Sequence, residues 1–120
     1  MSSTNKKIAI IGGGVAGLLA AVTAADAGAK VSLFEKMPKV GLKMGITGKG
    51  RCNLTNSAPI MDFIGKTPGN GKFLYSAYEA FSNEDLLDLL HSYGLVTKVE
   101  RGGRVFPASD DAQEVRHLFM

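Results

Sequence analysis

Gly12, Gly14 and Gly17 stand in the spacing G-x-G-x-x-G, between the apolar run "KKIAII" and a stretch of small and aliphatic residues from Val15 to Ala27. Each glycine has its own task if this is a strand-to-helix turn. Gly12 permits the tight turn, Gly14 lets a pyrophosphate approach the backbone without meeting a Cβ, and Gly17 lets the helix pack close to the strand. Backbone N–H groups at the helix start, those of Val15 and Ala16 among them, then face the phosphates, and the helix dipole adds attraction for negative charge. Glu35 follows Gly17 by eighteen positions. A carboxylate there accepts hydrogen bonds from ribose hydroxyls and repels a 2′-phosphate, which disfavours NADP. The plainer alternative is a solvated strand-end charge beside Lys36. On these residues alone FAD and NAD both stand.

The elements that would position this turn are legible around it. Residues 6 to 11 form a short β-branched run that stops at Gly12, the segment from Val15 to Ala27 has helix-forming composition, and Gly28 is a candidate C-terminal cap. Lys30 to Phe34 is strand-like again, so the spacing predicts an α/β fold opening with a parallel βαβ unit. Ala21 lies four positions beyond Gly17 on the same helical face. Two lysines, an apolar run and an A-x-A-like end also describe a secretory signal peptide. The glycines at fixed offsets and the direct continuation into "GAKVSLFEK" argue against that alternative.

A second glycine-rich segment, "GITGKGRCNLTN" at 45 to 56, mixes three glycines with Lys49, Arg51, Asn53, Asn56, Thr47 and Thr55. Successive glycines at 45, 48 and 50 allow N–H groups to curl toward one anion while Lys49 and Arg51 supply charge. It is not a P-loop, because Lys43 stands where the first glycine belongs and Gly50 where Ser or Thr should follow Lys49. Thr55 and Asn56 fit local Asx and ST turns equally well.

Composition narrows the classes. The chain has 120 residues, a net charge of +3 with acidic and basic residues interspersed, and one cysteine. No basic arm marks a nucleic-acid binder, and one Cys with two distant His gives no metal-ligand spacing. A small-molecule substrate, no membrane span and a reducing, cytoplasmic setting are the expectations. Cys52 reads as a buried, inert side chain, since it lacks the second cysteine that a disulfide reductase needs.

The remaining segments read as scaffold. The spacing predicts a helix over 72–81 with Phe73, Ala77 and Ala80 on a core face, while Tyr75 and Tyr78 are candidates for a substrate path. Ser82 with Asp85 forms a capping box for the next helix, which Gly94 closes. His91 in its last turn reads as a surface residue. Gly102-Gly103 signals a hairpin with a primed turn flanked by Arg101 and Arg104, and Asp110 with Gln113 signals a last helix.

Taken together, "IGGGVAGLLAA", "VSLFEK", "GLKMGITGKGRCNLTN", "KFLYSAYEAFSNEDLLDLL" and "VERGGRVFPASDDAQEV" resemble the N-terminal part of the bacterial NAD(P)/FAD-dependent oxidoreductases of the BaiN/YhiN type, also labelled the aminoacetone oxidase family. The block G-x-GRCN-x-TN and the RVFP segment are the specific parts of the likeness. This chain has Leu42 where many relatives carry a basic residue. The resemblance implies a Rossmann-like FAD-binding fold, incomplete here, with the substrate lobe and the rest of the sheet elsewhere in a longer protein. It implies non-covalent FAD, NAD(P)H or another donor, and hydride transfer to a small organic substrate such as an activated carbon–carbon double bond. It also implies that Arg51 and Asn53 lie against the flavin, Gly48 and Gly50 allowing the approach and Thr47 bonding at the margin. The candidate cofactor set is therefore Gly12, Gly14, Val15, Ala16, Gly17, Glu35, Lys36, Lys43, Thr47, Gly48, Gly50, Arg51 and Asn53, with no catalytic acid or base and no metal ligand identified. An NAD-dependent dehydrogenase half-domain, a non-catalytic nucleotide-binding module and a flavin-dependent RNA-modifying enzyme are the alternatives.

Overall fold

A computed structural model describes residues 5–120. Strand β1 (Lys7–Ile11) leads through the glycine turn into helix α1 (Val15–Asp26) and then β2 (Lys30–Phe34). The two strands are parallel, in the register Lys7 with Lys30 through Ile11 with Phe34. Helix α1 stops where expected: Gly28 takes φ +91°, its N–H donates to Ala25 O and that of Ala29 to Ala24 O, a Schellman closure. Ile11 and Phe34, side by side at the strand ends, are 81% and 56% exposed, so this small sheet is open on its apolar side.

The second half is built around an antiparallel sheet in the order β3 (Thr55–Asn56), β5 (Arg104–Pro107), β4 (Thr97–Val99). Helices α2 (Ile60–Lys66), α3 (Tyr75–Ala80), α4 (Asn83–Ser92) and α5 (Ala112–Leu118) complete it. The capping box at α4 forms as its sequence predicts. Ser82 Oγ accepts from Asp85 N, and the Asp85 carboxylate accepts from Ser82 N at 2.8 Å. At the other end Leu95 N donates to Leu90 O across Gly94, and both leucines are buried.

Three expectations are corrected. The helix over 72–81 is two pieces, a tight 3-10 turn at Gly71–Leu74 and then α3. Gly71 packs so close to Ile64 O that a Cβ would stand 2.3 Å from it, and the tight turn there swings Phe73 outward to 80% exposure rather than into a core. The β4–β5 connection has four residues, 100 to 103, with a 3-10 turn at Arg101–Gly103 and positive φ at both glycines, not a two-residue primed turn. The cap of α5 is Asp111, whose Oδ1 accepts from Gln113 N at 2.9 Å. Asp110 is in a left-handed conformation and its carboxylate is engaged elsewhere.

The core joins the two halves. Leu18 of α1, Met44 and Cys52 of the loop, Leu90 and Leu95 around α4, and Ala112 and Val115 of α5 form one buried cluster, with Leu33 and Val40 packed against it. Arg116 of α5 is only 6% exposed and donates from Nε to Val40 O at 2.6 Å and from Nη1 to Gln113 Oε1 at 2.9 Å. It pins the segment after β2 onto the last helix, a role that sequence spacing did not reveal because its partner is a main-chain carbonyl 76 positions away.

Candidate functional site

Short-range sterics shape the glycine turn. Gly12 sits at φ +102° and donates to Phe34 O at 2.8 Å. A Cβ on Gly17 would fall 1.8 Å from Gly12 O, so only glycine permits this approach of helix to turn. Gly14, the α1 N-cap, has open space where its Cβ would be. The first intrahelical bond is Leu18 N to Gly14 O, so the amides of Val15, Ala16 and Gly17 precede the ladder. Glu35 closes the turn from the β2 side: Oε1 accepts from Gly13 N at 2.9 Å and Oε2 from Met37 N at 2.7 Å. Those two N–H groups, Met37 first, hold its carboxyl below the usual glutamate range. Lys36 is exposed beside it.

Residues 43 to 54 form the facing wall. A 3-10 segment, Met44–Gly50, is broken at Thr47, Gly48 and Lys49. Gly48, Lys49, Gly50 and Cys52 all have positive φ. For the two non-glycine residues that left-handed backbone costs about 1–2 kcal/mol each, so other contacts must hold it. Thr47 Oγ1 donates to Met44 O at 2.8 Å, and Cys52 N to Thr47 O at 3.0 Å. Asn53, with its amide oriented to satisfy both ends, donates to Val105 O and Thr55 O. Asn56 accepts from Ala58 N in an Asx turn and donates to Gly102 O, so the local-turn reading of that residue is the observed one. Cys52 is buried, and burial pushes its thiol up, as expected of an unreactive side chain.

The two walls meet at a cavity of about 420 Å³. Of the candidate residues, Gly14 and Val15 line it from the turn and Lys43, Thr47 and Asn53 from the loop. Its remaining lining is Met44, Cys52 and Leu54, Leu86 and Leu90 of α4, and Val115 and Phe119 from α5 and the residue after it. The aliphatic contribution of α4 and α5 is what sequence reading missed; their apolar spacing matched a core face equally well. Gly12, Gly17 and Glu35 shape the turn behind the cavity, while Gly48 and Gly50 shape the bend. Tyr75 and Tyr78 lie elsewhere: Tyr75 reaches Glu79, and Tyr78 packs on Phe63.

Arg51 is engaged on the far side of the bend. Its Nη2 donates to Glu100 Oε2 at 2.5 Å and its Nε to Asp110 Oδ1 at 2.8 Å, with its guanidinium carbon 4.1 Å from the centre of the Phe106 ring. Lys98 bridges the same carboxylates, 2.7 Å from Asp110 and 3.3 Å from Glu100. Arg51 holds Glu100 low, and Lys98 with Arg51 holds Asp110 low; both cations are raised in return. Among the described residues no group of His, Cys, Asp and Glu could hold a metal ion, and no helix is long and apolar enough to cross a membrane.

A parallel βαβ unit with this turn, faced by a cavity, defines a Rossmann-type dinucleotide-binding segment. The chain belongs to the HI0933-like protein family, whose Rossmann domain profile matches residues 6–120. This is the BaiN/YhiN family, one of oxidoreductase type. The chain is 41% identical over 117 residues to a 3-dehydro-bile acid delta(4,6)-reductase of Clostridium scindens, covering 93% of this chain and 27% of that protein. It is 33% identical over 111 residues to a ribosomal RNA dihydrouridine synthase of Escherichia coli, covering 88% and 26% respectively. A ribosomal RNA dihydrouridine synthase of Haemophilus influenzae is 32% identical over 107 residues, again covering 88% of this chain and 26% of that protein. The chain thus spans about a quarter of the length of these relatives.

Proposed function

We propose that this chain is the FAD-binding portion of a flavin-dependent oxidoreductase that moves hydride from NAD(P)H, or another donor, to a small organic substrate with an activated carbon–carbon double bond. The observation that carries the reading is the convergence of the glycine turn and the 43–54 loop on one cavity. Gly14 leaves room for a diphosphate where a Cβ would intrude, and the leading amides of α1 supply donors to it. Glu35 would exchange a backbone partner for ribose hydroxyls. Thr47 and Asn53 offer polar groups at the cavity margin, and Leu86, Leu90, Val115 and Phe119 keep water from its floor. When bound, the flavin supplies the hydride-accepting and hydride-donating centre. The residues of this chain bind, orient and desolvate. Among the candidates here none is assigned as a proton donor.

The reductase name of the Clostridium scindens relative supports the reaction class. The name of the Escherichia coli relative favours a second reading of the substrate, an RNA base. Purified intact protein, heated to release cofactor and then titrated separately with FAD, NAD and NADP, tests the main reading. Recovered FAD, with affinity for FAD far above that for either nicotinamide dinucleotide at this site, is the expected result. A colourless protein that takes up none of the three overturns it. Salt-sensitive binding of ribosomal RNA by the intact protein supports the RNA substrate, and its absence removes that reading.

A further inference from the structure

The loop that walls the cavity holds a conformation that its own residues disfavour. Between 48 and 52, Lys49 and Cys52 are left-handed without being glycine, and such backbone persists only where surrounding contacts over-determine it. Thr47 and Asn53 supply part of the hold, and the ionic part of it converges on Arg51. Two of its nitrogens, Nη2 and Nε, donate to Glu100 and Asp110, Lys98 ties these carboxylates together, and the guanidinium carbon lies over the Phe106 ring. An isolated half-exposed ion pair would do little, but a guanidinium held by two acceptors and a ring is a network with one geometry. Thr47, four positions before Arg51, and Cys52 and Asn53, directly after it, line the cavity. Of residues 47 to 53, Thr47, Cys52 and Asn53 line the cavity and Arg51 does not.

From this geometry we infer that Arg51 is a positioning residue rather than a cofactor contact: Glu100 and Asp110 latch it outward so that Thr47, Cys52 and Asn53 are presented inward to the bound dinucleotide. The inference rests on the FAD reading for the identity of the ligand, though the latch itself does not. It makes Glu100 and Asp110, two carboxylates outside the cavity, determinants of affinity for an anionic ligand. The sign is opposite to that for direct contact. If Arg51 reached the cofactor, removing two competing carboxylates would free it and leave affinity equal or higher.

The experiment compares wild-type intact protein with Glu100→Gln/Asp110→Asn, Arg51→Met and Arg51→Lys. FAD affinity is read by titration, and alkylation of Cys52 by iodoacetamide by peptide mass, with circular dichroism confirming the folded state. A latch predicts that the double carboxamide variant and Arg51→Met both lose FAD affinity, on the order of tenfold, and both expose the buried Cys52 to faster alkylation. Arg51→Lys restores part of each. Glu100→Gln alone replaces the double variant should that one not fold. Unchanged or tighter FAD binding in the carboxamide variant, or Cys52 alkylation at the wild-type rate, overturns the latch. Should wild type bind no FAD while the carboxamide variant still accelerates alkylation, the latch stands and the cofactor reading fails.

Discussion

The glycine turn and the 48–52 bend face the same cavity but are held in different ways. The turn takes its shape from inside the βαβ unit: Gly17 lies against Gly12 O, and Gly12 and Gly13 are bonded to Phe34 and Glu35 at the end of the neighbouring strand. The bend depends in addition on residues 49 and 59 positions further along the chain, Glu100 and Asp110. One wall of the site is therefore set by sterics and hydrogen bonds inside the βαβ unit, and the other in part by charges brought in from further along the chain. A sterically set wall is rigid and leaves no room for a side chain at Gly17. An electrostatically set wall can be loosened by degrees.

The largest effect expected from this contrast is at Gly17. Replacing it with alanine forces a Cβ into a main-chain oxygen, and the turn has no flexible side chain to yield. Loss of about 3 kcal/mol or more in unfolding free energy, or failure to fold, is expected in a denaturant titration. A Gly17→Ala variant with wild-type stability would show that the turn is not sterically locked. Gly48→Ala should cost less. Its Cβ would approach Asn53 N at 2.8 Å and its φ is +57°, which together suggest roughly 2 kcal/mol. Equal losses at the two glycines would erase the distinction between the walls.

Acid separates them further. Glu100 and Asp110 are held below their ordinary values in the folded protein, so they bind fewer protons folded than unfolded. Their contribution to stability is complete at neutral pH, begins to fall near pH 4.5, the ordinary glutamate value, and disappears as pH drops through the folded values. Glu35 acts in the same direction through its two N–H donors. Melting temperature followed downward through that window should decline more steeply in wild type than in Glu100→Gln/Asp110→Asn. Parallel curves would mean that the latch carries no linkage. The smallest effect is expected at Phe73, which is 80% exposed. Phe73→Ser should change the stability of this chain by no more than about 0.5 kcal/mol, whereas a larger loss would restore the core face that the sequence pattern suggests.

What could be read from the residues follows the same division. The glycine turn from Gly12 to Gly17, the Schellman ends at Gly28 and Gly94 and the box at Ser82 and Asp85 depend on residues within a few positions of one another, where spacing carries the information. The partners of Arg51 and the hold of Arg116 on Val40 O join segments that only tertiary folding brings together. At α3 the helical pattern yields to the close approach of Gly71 to Ile64 O at the end of α2. At α5 two adjacent aspartates competed for one cap. Asp111 took it because Asp110 satisfies two cations instead.

Gly14 offers the most direct test of whether the two walls enclose one dinucleotide. Its backbone angles, φ −79° and ψ −172°, suit any residue, and nothing lies within 4 Å of where a Cβ would be. In the intact protein, Gly14→Val should therefore keep the wild-type melting temperature while FAD affinity, read by fluorescence titration, falls on the order of a hundredfold. Wild-type affinity in a folded Gly14→Val protein would place the cofactor away from this turn and contradict the proposed site.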